Sequence, residues 1–312
     1  MQLAKKYNLA IVLGPTATGK TRFAALLAHK LDAEIISADS RQVYRRMDLG
    51  TGKDYADYIV QGKEVPHHLV DIHEPGYKYN VYEFQKDFFE KYADIKNRHK
   101  EVILCGGTGM YIESVTKGYK LINVPVNQEL RDSLANKTLA ELEHKLSGYK
   151  KLHNRTDTDT IKRAIRAIEI EEYYAHHSIE EDSLPKLNPV VLGIDFTREI
   201  RRKRISERLQ NRLDGGMLKE VGDLLESGIK PEDLIYYGLE YKFITLYLTG
   251  RLSFDEMQHK LNTAIHQFAK RQMTWFRKME REGVKIHWIN GLLNDSDKVE
   301  HALRIISGNI PK

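Results

Sequence analysis

The sequence predicts an α/β fold, a P-loop NTPase-like parallel sheet flanked by helices, with a helical insertion domain and a helix-rich C-terminal part. Three observations lead there. Residues 14–21 read GPTATGKT, a full match to the phosphate-cradle pattern G-x-x-x-x-G-K-[ST]. Across the first 115 residues, short apolar runs alternate with stretches of helical periodicity, as strands and helices do in a parallel sheet. Beyond about Val115 that alternation gives way to mostly helical sequence.

The elements follow in order. Leu9–Leu13 has the length of a buried strand, and residues 22–31 place Phe23, Leu26, Leu27 and Leu31 at helical spacing. A match to the loop pattern arises by chance in roughly one chain per hundred of this length, and the strand-before, helix-after context reduces that further. A second strand over residues 34–37 opens into Ala38-Asp39-Ser40-Arg41. A glycine- and charge-rich loop leads to Val65–Ile72. Residues 81–98 read as a helix through Phe84, Phe88, Tyr92 and Ile95. The run 101–105 is another buried strand, entering Gly106-Gly107-Thr108-Gly109 and a helix through Tyr111 and Val115.

Residues 116–189 are then expected as a helical insertion, with a helix over 157–174, between core segments 1–115 and 190–312. Val190–Ile194 returns to the sheet. Residues 198–281 are helix-rich, interrupted near Asp214-Gly215-Gly216 and Gly228, and Ile286–Ile289 reads as a last strand. Ligands of such folds gather at the carboxyl ends of the strands, where the loop, Asp39 and Thr108 all fall.

The loop chemistry selects phosphate, not a particular nucleotide. Gly14 and Gly19 let amide N–H groups converge on oxygen, and the following helix adds its positive end. Through Gly14, Pro15, Thr16, Ala17, Thr18, Gly19, Lys20 and Thr21 the segment predicts diphosphate or nucleotide binding. Lys20 serves as a point charge, and the Thr21 hydroxyl as a ligand for Mg²⁺, the one cofactor expected.

Composition sets bounds. With 312 residues, 41% of them hydrophobic, the chain can bury a sizeable core. Mean hydropathy is −0.52 and no apolar run approaches membrane-spanning length. The first strand starts without a leader pattern and Cys105 is the lone cysteine, so a cytoplasmic protein without disulfides or a cysteine zinc site is expected. Net charge is +5, unevenly spread. Lys150, Lys151, Arg155, Lys162, Arg163 and Arg166 form one basic cluster. A second runs from Arg198 through Arg201, Arg202, Lys203, Arg204 and Arg208 to Arg212, and a third from Lys270 and Arg271 to Arg281. Each could be a solvated helix face; together they favour a polyanion, nucleic acid first.

Two residues carry candidate chemistry. Asp39 beside the cradle can be a general base, a Mg²⁺ ligand or a helix cap. Thr108 can contact substrate or cap the next helix. Cys105 reads as a packed core thiol. His67 and His68 lack metal-ligand partners at useful spacing.

GPTATGKT, ISADSRQVY, MDLGTGK, VPHHLVDI, GGTGMYI and FAKRQMTWFRK occur in the order found in tRNA dimethylallyltransferases (tRNA isopentenyltransferases), and the chain resembles that family over nearly its full length. The resemblance implies transfer of a dimethylallyl group from dimethylallyl diphosphate to N6 of the adenosine 3′-adjacent to the anticodon. The P-loop would hold the donor's diphosphate. It implies Asp39 as catalytic base, Thr108 at the reacting centre and Arg208 balancing leaving-group charge. It implies contacts to the tRNA anticodon loop from Asp39, Ser40, Arg41 and Gln42, from Lys162 and Arg163 on the insertion, from Tyr237, Gly238 and Lys242, and from His266, Gln267, Lys270 and Arg271. A monomer is expected.

Glu240 departs from the resemblance, standing where a glycine is usual and adding negative charge near the RNA. Rival readings are a P-loop kinase or NTPase acting on a small molecule, a prenyltransferase of free adenine nucleotides, and an RNA-binding module without catalysis.

Overall fold

In the computed structural model, which describes residues 3–4, 6–149, 158–177 and 184–308, a six-stranded parallel sheet runs through the larger of two units. The chain enters through β1 (Leu9–Leu13), α1 (Lys20–Leu31) and β2 (Ala33–Ser37). A two-stranded hairpin, β3 (Ile59–Val60) and β4 (Lys63–Glu64), precedes the short edge strand β5 (His67–His68). Then come α2 (Val81–Asn97), β6 (Glu101–Gly106) and α3 (Gly109–Thr116).

After the inserted unit, β7 (Pro189–Asp195) rejoins the sheet, followed by α7 (Arg198–Arg212), α8 (Leu218–Glu226), α9 (Pro231–Tyr236), α10 (Leu239–Leu248), the long α11 (Phe254–Arg281), β8 (Ile286–Asn290) and α12 (Asp295–Ser307). The strand order is β5-β2-β6-β1-β7-β8. β1 is central, with Ile11 opposite Leu104 of β6 and Val191 of β7.

The alternation of a strand decides which layer each residue joins. Leu9, Ile11 and Leu13 enter a core with α2, α3 and α7–α11. Ala10 and Val12 enter the opposite core with α1 and α12. Both faces are covered, which is why β1 reads as a continuous apolar run. Cys105 belongs to this second core, and burial pushes its thiol pKa up to about 12.

The sequence reading places β1, β2, β6, β7 and β8 within a residue or two of these bounds, while the β3–β4 hairpin falls in the stretch read as a loop. It does not anticipate α12, although Val299, Ala302, Ile305 and Ile306 form a buried helical stripe capped by the Asn294 side chain. The interruption at Asp214–Gly216 is a π-helical segment, Leu213–Met217, with Gly216 at φ 100°.

Residues 120–184 form a separate unit by their contacts. Its described helices are α4 (Gln128–Leu134), α5 (Leu139–Ser147) and α6 (Ile161–His176). Leu134, Leu142, Leu146, Ala164 and Ile168 make its core. The buried Glu169 is held by Arg131 at 2.8 Å and by Arg166. The expected helix over 157–174 is found as Ile161–His176, with the Thr160 side chain accepting the Arg163 N–H. Residue 157 and the basic residues Lys150, Lys151 and Arg155 lie outside the described residues.

Candidate active site

The parallel order puts three loops side by side at the carboxyl ends of β2, β6 and β1, because β6 lies between the other two. These loops carry Asp39, Thr108 and the phosphate cradle.

The cradle is braced from all sides. Gly19 caps α1 in the left-handed region at φ 75°, the conformation that opens this helix end to an anion. Ala17 also has positive φ, 65°, which is uncommon for a residue with a Cβ. Its carbonyl accepts the Arg204 Nε–H at 3.0 Å, and the Thr18 hydroxyl donates to Pro15 O at 2.9 Å. Lys20 is half-buried. Desolvation lowers its pKa below the usual lysine value, and the nearby Asp39 carboxylate opposes that.

A cavity of about 460 Å³ opens on the cradle, lined by Gly19, Lys20, Thr21, Asp54, Asp57 and Arg208 among others. Arg208 reaches it from α7, donating to Asp54 Oδ2 at 2.9 Å and to the Thr16 hydroxyl at 3.4 Å. Asp57 has its carboxyl pKa raised by burial and then by Asp54.

Asp39 Oδ1 accepts the Arg41 N–H at 3.0 Å, so the carboxylate is oriented by its own loop. Thr108 is at the cap position of α3, yet its hydroxyl makes no cap bond. It accepts the Ser40 N–H at 3.2 Å, and its own N–H donates to Ala38 O at 3.2 Å. Thr108 thereby ties the Asp39 loop to the end of β6.

The loop of the MDLGTGK segment is a rigid wall. Lys53 is buried and bonds Tyr44 O, Asp48 and Asp71. Glu220 accepts three successive N–H groups, Asp48 at 2.9 Å, Leu49 at 2.7 Å and Gly50 at 3.1 Å. At Gly52 φ is +77°, and a Cβ there would lie 2.3 Å from Arg212 Nη2 and 2.7 Å from Arg208 Nη2. Only glycine lets this loop back both guanidinium groups.

The remaining predicted residues separate by exposure. Gln42 is buried, accepting from the Ser37 hydroxyl and donating to Gly52 O, each at 3.2 Å. Tyr237 is 1% exposed and packs at a tilt against the Tyr44 ring, centroids 4.5 Å apart. Gly238 precedes α10 at φ 142°. Lys242, Gln267, Lys270 and Arg271 are exposed, and His266 is half-buried with Nε2 3.2 Å from the Ser206 hydroxyl. Burial lowers the His266 pKa, aided by Arg202. Lys162 and Arg163 are exposed on α6 in the separate unit, with Arg163 paired to Asp159 at 2.6 Å. His68 contacts Glu34 at 2.7 Å and His67 stacks on Tyr58 at 4.0 Å.

Sequence reasoning assigned no role to Gln272. Its side chain is buried, accepts the Thr16 N–H at 2.9 Å and donates to Gly107 O at 3.0 Å, bridging the cradle to the Thr108 loop. The signal was present in the KRQ segment, but its partner lies 256 residues away. Asp54, Asp57 and Arg212 were likewise missed as neighbours of the cradle.

Fold and site together define an α/β protein in which a glycine-rich loop of the phosphate-cradle pattern lies beside a carboxylate. The IPP transferase family profile matches residues 42–279. A tRNA dimethylallyltransferase 2 of Phocaeicola vulgatus is 63% identical over 302 residues, 97% of this chain and 98% of that protein. A tRNA dimethylallyltransferase 1 of Parabacteroides distasonis is 62% identical over 98% of this chain and all of its own length. The crystal structure of the full-length tRNA isopentenylpyrophosphate transferase of Bacillus halodurans is similar at 30% identity, covering 98% of this chain and 97% of that one, with a TM-score of 0.71. A eukaryotic dimethylallyltransferase seen acting on tRNA shares the fold with a TM-score of 0.78. The chain belongs to the IPP transferase family.

Proposed function

We infer that this protein is a tRNA dimethylallyltransferase. It transfers a dimethylallyl group from dimethylallyl diphosphate to N6 of the adenosine 3′-adjacent to the anticodon, releasing diphosphate. The observation that carries the reading is the convergence of cradle, Asp39 and Arg208 at the carboxyl ends of the strands, in a chain 63% identical over nearly its full length to a protein of that name.

The chemistry asks for two things. Displacement at the allylic carbon builds negative charge on the departing diphosphate, and preorganised donors stabilise it. Loop amides, Lys20 and Arg208 serve that role. The exocyclic amine must lose a proton as its new C–N bond forms, and Asp39 is the base. Thr108 stands at the reacting centre and holds the Asp39 loop in place. The target base leaves its stack to reach this site, as enzymes acting on bases require. The half-buried Arg41 and the exposed Lys242, Gln267, Lys270 and Arg271 supply contacts to the RNA, and Lys162 and Arg163 do so from the second unit.

Mg²⁺ fits the donor set. Among the described residues no three His, Cys, Asp or Glu side chains gather into a metal site, and Thr21 shares the cavity with Asp54 and Asp57. Such a setting suits an ion held mainly by substrate phosphates and water, with the Thr21 hydroxyl as protein ligand. When bound it supplies charge neutralisation to the leaving diphosphate.

No helix among the described residues is long and apolar enough to cross a membrane. A cytoplasmic location is proposed from the substrate.

The test is direct. Radiolabelled dimethylallyl diphosphate and Mg²⁺ are incubated with the protein and either unmodified tRNA or AMP. Label in tRNA alone is expected. Label in AMP alone makes it a nucleotide prenyltransferase, and ATP turnover without prenyl transfer makes it a kinase or NTPase.

A further inference from the structure

Tyr236 and Tyr237 are adjacent, yet they have opposite surroundings. Tyr237 is buried; its hydroxyl accepts the Gly76 N–H at 2.6 Å and donates to Tyr77 O at 3.0 Å. The Tyr44 ring packs against it, tilted by 59°, with centroids 4.5 Å apart. Tyr236 ends α9 and is 45% exposed, its ring resting edge-on against the Tyr237 ring at 5.5 Å and 79°. An exposed aromatic ring is thus mounted on one that cannot move.

The surroundings of that ring are cationic. The Arg41 guanidinium lies 5.1 Å from its centroid and the Lys78 ammonium 5.9 Å. Neither cation forms a salt bridge with a carboxylate among the described residues. A solitary surface tyrosine needs no explanation, since apolar atoms make up much of any protein surface. One held rigid between two cations that lack anionic partners is a different object. It presents a π-face together with positive charge, the pairing that single-stranded nucleic acid requires.

Its position is the second argument. Arg41 donates its backbone N–H to Asp39 Oδ1 at 3.0 Å, so the cation over Tyr236 belongs to the same loop as the proposed base. The platform is therefore continuous with the site where the extruded adenosine is presented. Once that base has left its stack, its former neighbours expose faces that need a new partner.

We propose that Tyr236, with Arg41 and Lys78, is a stacking platform for an unpaired RNA base flanking the target adenosine. Tyr236 supplies the ring, and the two cations take the phosphates on either side. The inference rests on the tRNA-modifying reading and adds a specificity-determining residue to it.

The experiment uses the full-length protein and a synthetic anticodon stem-loop carrying 2-aminopurine on the 5′ or the 3′ side of the target. Wild type and Tyr236→Phe are expected to quench one of the two probes by stacking. Tyr236→Ala and Tyr236→Leu lose that quenching and raise the KM for the stem-loop about tenfold or more, the scale set by removing one base–aromatic stack. Their KM for dimethylallyl diphosphate and their kcat at saturating RNA stay near wild type, which a folding defect would not allow.

Equal quenching of both probes by wild type and Tyr236→Ala overturns the platform. So does full rescue by Tyr236→Leu, which would make the ring a mere apolar cover. Binding and quenching need no prenyl transfer, so an inactive wild type that still shows the Tyr236-dependent stack rejects the activity and leaves the platform standing.

Discussion

The Thr108 hydroxyl accepts the Ser40 backbone N–H across 68 residues of sequence, at 3.2 Å. This bond joins the loop that carries the base to the loop after β6. An unpaired, partly buried N–H costs about 1–3 kcal/mol. Thr108→Val should therefore loosen the Asp39 loop and lower kcat at least tenfold, while Thr108→Ser retains the acceptor and most of the rate. Single-turnover rates on saturating tRNA decide it; equal rates for Val and Thr would remove Thr108 from the site.

Asp39→Ala should lower the transfer rate by roughly 10²–10⁴, the scale for loss of a general base, with tRNA affinity changed only a few fold. Filter binding alongside rate measurement separates the two effects. Lost RNA binding with intact chemistry would assign Asp39 to recognition instead.

Gln272→Ala breaks two bonds at once, to Thr16 N–H and Gly107 O. The cradle then loses its brace from α11, and the KM for dimethylallyl diphosphate should rise at least fivefold, with smaller change in tRNA affinity. Titration with a non-reactive thiodiphosphate analogue measures the donor affinity directly. An unchanged dissociation constant would show that the cradle holds its shape unaided.

Glu240 gives a pH-dependent test. Its carboxyl lines a small recess with Thr16, Arg208 and Arg212. Burial raises its pKa above the usual glutamate value, with Arg212 and Arg208 opposing and Asp39 assisting the rise. Burial also lowers Arg212, to about 10, and Arg212 Nη2 has no hydrogen-bond partner. A carboxyl whose folded pKa is raised is more stable protonated, so its contribution is fully present below the unfolded value of 4.5 and is lost as pH rises through the folded value. Glutamine mimics the protonated acid. Glu240→Gln should thus melt at or above wild type at pH 8, with the gap closing on acidification toward pH 4.5. A constant gap across that range would show that the charge of Glu240 is not what matters. Glu240 thus shares a recess beside the cradle with two arginines.

Arg271 is exposed on α11 and makes a cation–π contact with Phe268 at 5.9 Å. Arg271→Ala should weaken tRNA binding and reduce the slope of log affinity against log salt by about one. A slope identical to wild type would exclude a phosphate contact there.

What could be read in the chain alone were its local properties. The GPTATGKT loop, the apolar run of β1 and the opening of β6 into Gly106-Gly107-Thr108-Gly109 depend on residues within a few positions, because backbone periodicity and glycine's conformational range act over that distance. Parallel strands then oblige their carboxyl ends to meet, which groups Asp39, Thr108 and Lys20 from the sequence alone. Docking decided the rest. Gln272 finds Thr16, and Glu220 finds the amides of residues 48–50, only because α11 and α8 pack where they do. The same packing buries Tyr237 and exposes Tyr236, two identical side chains in succession. No neighbour-range property separates them; the difference is set by which surface the end of α9 rests upon.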